Sequence, residues 1–256
     1  MLLSLSSLIT AFRLRPSGVL HLGAHLAEEA PDYFSNGLQN VVWVEGNPEL
    51  IGSLTETVKP FGHRVVHALI DETSGADVEF KVTTNTQSSS ILALGTHRDH
   101  HPEIEVGHTL HLETMTIDDL ARVNDFSGLD FMNIDLQGAE LRALRGAQRT
   151  LADINYVYCE VNREEVYEAC ALIEDVDAFL GSHGFRRVIT EWTPAQWGDA
   201  LYIRNGAPAR RAWLGRARYR FGAAMRLVLA PTQLLSWMRI RAGAAAQRVG
   251  IKRTIG

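Results

Sequence analysis

The chain has 256 residues and a net charge of −5, from 25 Lys+Arg and 30 Asp+Glu. Apolar residues make up 46% and charged residues 21%, which excludes wholesale disorder, a collagen repeat and a coiled coil, and leaves room for one large α/β domain. The charge is unevenly divided: residues 209–256 hold 11 Lys+Arg and no Asp or Glu, so an acidic body of net −16 carries a basic tail.

Cys159 and Cys170 are too few for a disulfide framework and lie in no zinc-ligand spacing. The opening MLLSLSSLITAF has neither a basic start nor a small-residue cleavage site, so 1–17 reads as a capping helix rather than a signal peptide. No run approaches the roughly 20 apolar residues of a membrane span, and the expected location is cytoplasmic.

From Gly18 onward, short apolar runs alternate with amphipathic stretches. GVLHL (18–22) predicts a strand and LAEEAPDYFSNG (26–37) a helix that Pro31 weakens. VVWVE (41–45) is a second strand, and Pro48 opens a helix at the first-turn position proline favours. RVVHALI (64–70) is a third strand, and ADVEFKV (76–82) alternates as an edge or hairpin strand does. TIDDLARV (116–123) carries a Thr cap and an acidic first turn. LDFMNID (129–135) is a fourth strand, followed by a helix from Gly138 to about Leu151. YVYCEV (156–161) is a fifth, VDAFLGSHG (176–184) a helix with a Gly stop, and FRRVITEW and DALYIRN a closing antiparallel pair. This order implies an open, mostly parallel sheet with helices on both faces and a C-terminal hairpin.

In such sheets a ligand lies beyond the C-terminal ends of the strands. After the first strand, Gly23 and Ala24 are small where a backbone would approach a ligand, and His25 leads toward a helix start. The turn lacks GxGxxG, which argues against a pyrophosphate site. The second strand ends Glu45-Gly46-Asn47, and an acid there can accept both hydroxyls of a ribose. A small-residue turn plus a ribose acid, without a phosphate fingerprint, suits S-adenosylmethionine. The competing reading is a plain tight turn and a solvated Glu.

Together with NTQSSSIL (85–92), TMTIDDL (114–120) and FMNIDLQGAELRALRGA (131–147), this opening resembles FkbM-type S-adenosylmethionine-dependent O-methyltransferases. The resemblance covers about 18 to 205, so 18–208 is the expected methyltransferase domain. It implies a Rossmann-like seven-stranded fold and methyl transfer to a hydroxyl of a sugar, glycolipid or glycosylated natural product. Two positions depart from the pattern: His21 stands where an acid is common, and Ala27 where a Gly is, beside the cofactor's methionine moiety. They motivate the alternative of a non-catalytic, membrane-associated binding protein.

Asp135, ending the fourth strand, is the first candidate for the proton acceptor, with Gln137 orienting the acceptor molecule. Glu160, ending the fifth, is the second carboxylate, with Asn162 beside it. Asp135 and Glu160 are also the candidate ligands should a divalent ion such as magnesium take part. Against these roles stand helix capping by Asp135 and a solvated Glu140. Five histidines fall between 97 and 111; their spacing argues against one metal site, and His97 is the rival base. The resemblance makes this segment a loop over the site; Ser89 and its neighbours, with no GxSxG elbow around them, read as hydrogen-bond partners of cofactor or acceptor rather than nucleophiles. Asp71 falls where an adenine contact is expected.

In the tail, Trp213, Ala217, Phe221, Ala224, Met225 and Val228 share one face of a helical wheel, with Arg216, Arg220 and Arg226 on the other. After Pro231, Leu234 to Val249 form a second, weaker stripe. Residues 209–256 thus suit an anionic membrane surface, at the inner membrane face if the protein is cytoplasmic. Packing on the body or on a dimer mate, giving a homo-oligomer, is the competing use. No nucleic-acid module supports a nucleic-acid partner.

Overall fold

The computed structural model describes residues 2–209 and 211–229, with side chains in the last helix as far as 222. In chain order the strands are β1 (Val19–Leu22), β2 (Val41–Glu45), β3 (Arg64–His67), β4 (Leu69–Ile70), β5 (Asp77–Thr83), β6 (Val106–Met115), β7 (Phe131–Ile134), β8 (Tyr156–Asn162), β9 (Phe185–Trp192) and β10 (Trp197–Arg204). The helices are α1 (Leu5–Phe12), α2 (Ala30–Ser35), α3 (Ile51–Val58), α4 (His97–His100), α5 (Ile117–Val123), α6 (Glu140–Arg145), α7 (Ile173–Ser182) and α8 (Ala212–Leu229).

Seven strands form the main sheet in the order β3-β2-β1-β7-β8-β10-β9. Neighbours from β3 to β8 pair in parallel, and β10 pairs antiparallel with both β8 and β9. The architecture is a Rossmann-like α/β sheet with a C-terminal hairpin. The uniformly buried pattern of β1, β2, β7 and β8 follows from cover on both faces. Alternate residues divide between two cores: Leu20, Leu22, Val42, Met132, Ile134 and Val157 pack in one, and Val19, Trp43, Phe131, Tyr156 and Tyr158 in the other. The second core also takes in Leu5, Leu8 and Phe12 of α1.

Several boundaries differ from those the pattern predicts. The run 64–70 is two strands: β3 joins the main sheet, whereas β4 pairs with β6 in a small second sheet, β4-β6-β5. The helix predicted over 26–37 shrinks to α2, with Pro31 in its first turn. The helix after Pro48 begins at Ile51, and Pro48 caps a preceding turn by accepting from Ile51 N–H. Gly138, at φ 98°, delays α6 until Glu140, and the chain leaves helix at Gly146, where a Cβ would meet the Asp71 carbonyl oxygen at 2.7 Å. Thr116 caps α5 by accepting from Asp119 N–H at 3.1 Å.

α8 packs on α1 through Gly215, whose missing side chain makes room for the Phe12 ring, and through Ala212 and Tyr219. Trp213 and Phe221 stay 61% and 70% exposed. The stripe from Leu234 to Val249 lies outside the described residues, as do the side chains of Ala224, Met225, Arg226 and Val228. No helix among the described residues is long and apolar enough to cross a membrane.

Candidate active site

A cleft of about 550 Å³ opens at the C-terminal ends of β1, β2, β7 and β8. Its floor depends on Gly23, at φ 80°. The N–H groups of Gly23 and Ala24 both donate to the Val44 carbonyl at 3.0 Å, and Asp135 N–H donates to Leu22 at 3.0 Å. These bonds press the turn after β1 against the end of β7, where any Cβ on residue 23 would collide with the Asp135 carbonyl. Only glycine meets both demands.

Glu45 ends β2 beside this turn and is buried. Its Oε2 accepts from His25 N–H at 2.8 Å and its Oε1 from Asn47 N–H at 2.7 Å. Burial raises its pKa, and these N–H groups act in the opposite direction. The carboxylate is thus held in one orientation with lone pairs left over for a ligand diol.

His25 also fastens a lid. Its Nδ1 meets Glu28 at 2.7 Å and its Nε2 meets Thr86 Oγ1 at 2.8 Å, while Gln87 donates to Glu28 at 3.2 Å. The hydrogen bond to Glu28 raises the His25 pKa, and the same bond holds Glu28 down at about 2. Residues 85–91 thereby form one wall of the cleft, with Ser89 Oγ accepting from Thr83 N–H at 3.2 Å.

Opposite lies a set of carboxylates placed by strand register. Ile134 pairs with Cys159, so Asp135, one residue on, stands beside Glu160; Glu160 in turn pairs with Asp199 of the antiparallel β10. Burial, then the neighbouring Asp199 charge, raises the Asp135 pKa to about 6 even though its side chain opens on the cleft. Burial and the charge of Asp135 drive Glu160 well above the usual carboxylate range. Asp199, also raised by burial, accepts from the Tyr158 hydroxyl and from Leu2 N–H. Glu140 is buried rather than solvated: its Oε1 takes the N–H groups of Leu136 at 2.9 Å and Gly138 at 3.0 Å, and burial raises its pKa to about 7.

Gln137 links this row to the far wall. Its Nε2 donates to Asp135 Oδ1 at 2.5 Å and reaches Glu160 Oε2 at 3.4 Å, while its Oε1 accepts from the Tyr167 hydroxyl at 2.5 Å. Its backbone is left-handed at φ 53°, held there by Ser90 Oγ donating to the Gln137 carbonyl at 2.8 Å.

Of the residues singled out from sequence, Gly23, Ala24, His25, Glu45, Gly46, Ser89, His97, Asp135, Gln137 and Glu160 all line the cleft. Asp71, Asn47 and Asn162 do not, and the cofactor-binding roles of the first two are corrected. Asp71 is 1% exposed and accepts from Nε and Nη2 of Arg142, each at 2.6 Å, so it anchors α6 instead of meeting adenine. Asn47 turns inward; its N–H serves Glu45 and its Oδ1 accepts from Glu49 N–H at 3.0 Å. Ala27 is likewise in the core beside Ala30, and its left-handed φ of 57° gives a physical reason for glycine at that position. His21 borders the cleft but is stacked on Trp43 and bonded to Tyr33 at 2.9 Å; burial lowers its pKa to about 4 and keeps it neutral.

His97 lies on the one-turn α4, against the Tyr167 ring at 5.5 Å, with burial lowering its pKa. His108 and His111, on β6, meet Glu49 at 3.0 Å and Asp77 at 3.6 Å at the surface. Tyr167, Asp199, Leu2 and Trp197 border the cleft without having been singled out from sequence. Tyr167 sits in an irregular loop, Asp199 and Trp197 reach the site through the β8–β10 register, and Leu2, ahead of α1, is held there by its N–H donating to Asp199.

Residues 21–187 match the family model described as Methyltransferase FkbM domain. Among solved structures, Sp1610 of Streptococcus pneumoniae, in complex with S-adenosyl-L-methionine, is 15% identical with a TM-score of 0.45, covering 91% of this chain and 86% of that one. TrmK of M. capricolum, in complex with S-adenosyl-homocysteine, is 9% identical with a TM-score of 0.46, covering 81% and 70%. The ribosomal protein L11 methylase of Lactobacillus delbrueckii subsp. bulgaricus is 12% identical with a TM-score of 0.42, covering 79% and 78%. No curated protein matches the chain.

Proposed function

Because the chain belongs to the FkbM methyltransferase domain family, we propose that it is an O-methyltransferase whose acceptor is an uncharged, hydroxyl-rich molecule: a sugar unit of a glycan, glycolipid or glycosylated natural product. The observation that carries this reading is the charge of the cleft. Its walls include Glu28, Glu29, Glu45, Asp135, Glu160 and Asp199, and none of the described residues lining it is Lys or Arg. A nucleic-acid or phosphorylated acceptor would bring negative charge to this wall with no counter-charge. A polyol instead finds hydrogen-bond acceptors and, at Trp197, an aromatic wall.

The same wall suits a cationic cofactor. S-adenosylmethionine supplies, when bound, an activated methyl group on a sulfonium centre. Glu45 has the chemistry to take its ribose hydroxyls, and the Gly23–Ala24 turn lines the cleft beside it. What the chain itself must do is position and accept a proton. Asp135 takes the proton of the acceptor hydroxyl. Its pKa of about 6 leaves it ionised at neutral pH and still basic enough to serve, and Glu160 beside it shares the proton load. Gln137, with its oxygen on Tyr167, points its amide N–H at both carboxylates.

Oxygens of Asp135, Glu140 and Glu160 lie within 4.8 Å of one another, a spacing a divalent ion such as magnesium could use. The Gln137 amide, however, already bridges Asp135 and Glu160, and one Glu140 oxygen is committed to two N–H groups. The arrangement therefore favours the carboxylates as proton acceptors over metal ligands.

The test is transfer of a labelled methyl group from S-adenosylmethionine into separated glycan, glycolipid, RNA and protein fractions of a cell extract, with and without magnesium. Label in a glycan fraction, abolished by Asp135→Asn, is the expected result. Label confined to RNA or protein would overturn the acceptor class, and transfer only with magnesium would overturn the metal-independent assignment.

A further inference from the structure

A second concavity, of about 520 Å³, lies away from the cleft, between the edge strand β9 and helix α8. Its charge is the reverse of the cleft's. Arg186 and Arg187 come from β9 and Arg216 and Arg220 from α8, against the single carboxylate of Asp177. Asp177 is taken by Arg187 through two bonds of 2.8 and 2.9 Å. Arg186, Arg216 and Arg220 are exposed and have no ion-pair partner among the described residues. Three uncompensated guanidinium groups converge on one groove.

The aromatic residues of α8 complete the surface. Trp213 and Arg220, seven residues apart, lie within about 20° of each other around the helix, so Arg220 and Trp213 share the outward side. This corrects the wheel reading that set the arginines opposite the apolar stripe. The inward side is Gly215 and Tyr219 against α1, and Trp213 and Phe221 remain in solvent.

We propose that the β9–α8 groove is a binding site for the phosphate headgroups of an anionic phospholipid surface, with Trp213 and Phe221 entering the headgroup layer beside it. Guanidinium groups recognise phosphate oxygens with paired N–H donors, and exposed aromatic residues next to cations are what a lipid–water boundary accommodates. The basic sequence of 209–256 continues from this patch and adds charge of the same sign.

The experiment is co-sedimentation of the full chain with vesicles of phosphatidylcholine, with and without phosphatidylglycerol, at low and high salt. Wild-type protein should sediment with the phosphatidylglycerol vesicles alone and be released by salt. Each cation at such a surface contributes roughly fivefold in affinity, so the triple change R186A/R216A/R220A should weaken binding by about a hundredfold. The Arg→Lys triple change, which keeps the charge and loses the paired donors, should restore only part of it, and Trp213→Ala should weaken it without changing its salt dependence. These positions are exposed, and an unchanged thermal midpoint checks that the variants fold. Undiminished binding by the alanine triple variant would overturn the proposal, because the remaining tail would then carry the affinity. Binding of RNA or of inorganic phosphate with no binding to vesicles would overturn it too.

Discussion

The Tyr167 hydroxyl donates to Gln137 Oε1 at 2.5 Å, and that one bond decides which end of the amide faces the carboxylates. With its oxygen occupied, Gln137 presents its NH₂ to Asp135 and Glu160. Tyr167→Phe removes the constraint and frees the amide to turn. A lost orienting hydrogen bond of this kind is worth about 1.4 kcal/mol, or a factor of ten. We predict a tenfold lower kcat with an unchanged KM for S-adenosylmethionine, read by steady-state kinetics. A change in KM alone would contradict the positioning role.

Asp135→Asn removes the proton acceptor itself. General-base catalysis contributes about 10²–10⁴ in rate, so kcat should fall at least a hundredfold. Wild-type kcat/KM should rise with pH through about 6, the value to which Asp135 is raised. The variant should lose that limb. A limb retained in Asp135→Asn would move the base to another group, His97 being the next to test.

The raised carboxyl groups also set a stability profile. Asp135 and Glu140 titrate at about 6 and about 7 when folded, above the range near 4 of unfolded chains. The folded protein therefore holds protons that the unfolded chain releases. Their contribution is fully present below about pH 4 and is lost as pH rises through 6 to 7. The thermal midpoint should be higher near pH 5 than near pH 8, and Glu140→Gln, which keeps an oxygen for Leu136 and Gly138, should flatten the difference. A midpoint that rises over that interval would refute the assignment.

Arg142→Met separates structure from site. It leaves the buried Asp71 carboxylate without its bidentate partner, at a cost of about 3 kcal/mol. For a domain of this size that is a fall of roughly 10 °C in midpoint. Affinity for S-adenosylmethionine in the surviving folded protein should stay within a few-fold, because Asp71 is outside the cleft. Glu45→Ala should do the opposite: a loss of at least tenfold in cofactor affinity by calorimetry, with a smaller loss of stability.

Much of this site is legible in local sequence. Gly23 and Glu45 follow apolar runs one strand–helix–strand step apart, and Asp135 ends a third such run, so strand periodicity alone delivers them to the same sheet edge. What local pattern misses has a common cause. Asp199 reaches Glu160 only through an antiparallel register with a partner 39 positions away along the chain, which no periodicity encodes. Tyr167 comes from a loop without repeat, and Glu140 looks like any acidic first-turn residue until the N–H groups it caps are seen. Asp71 misleads for a related reason: its position after a strand suggested a ligand contact, but the partner that claims it, Arg142, is 71 residues away.

The reversed strand β10 has a thermodynamic consequence. By setting Asp199 against Glu160, it crowds like charges at the mouth of the sheet, and the cleft becomes a small reservoir of protons that the same side chains would surrender in water. A sulfonium-bearing ligand arriving there discharges the reservoir. Binding of S-adenosylmethionine should therefore be coupled to proton release, weaken toward acid pH, and give a heat that varies with the ionisation enthalpy of the buffer.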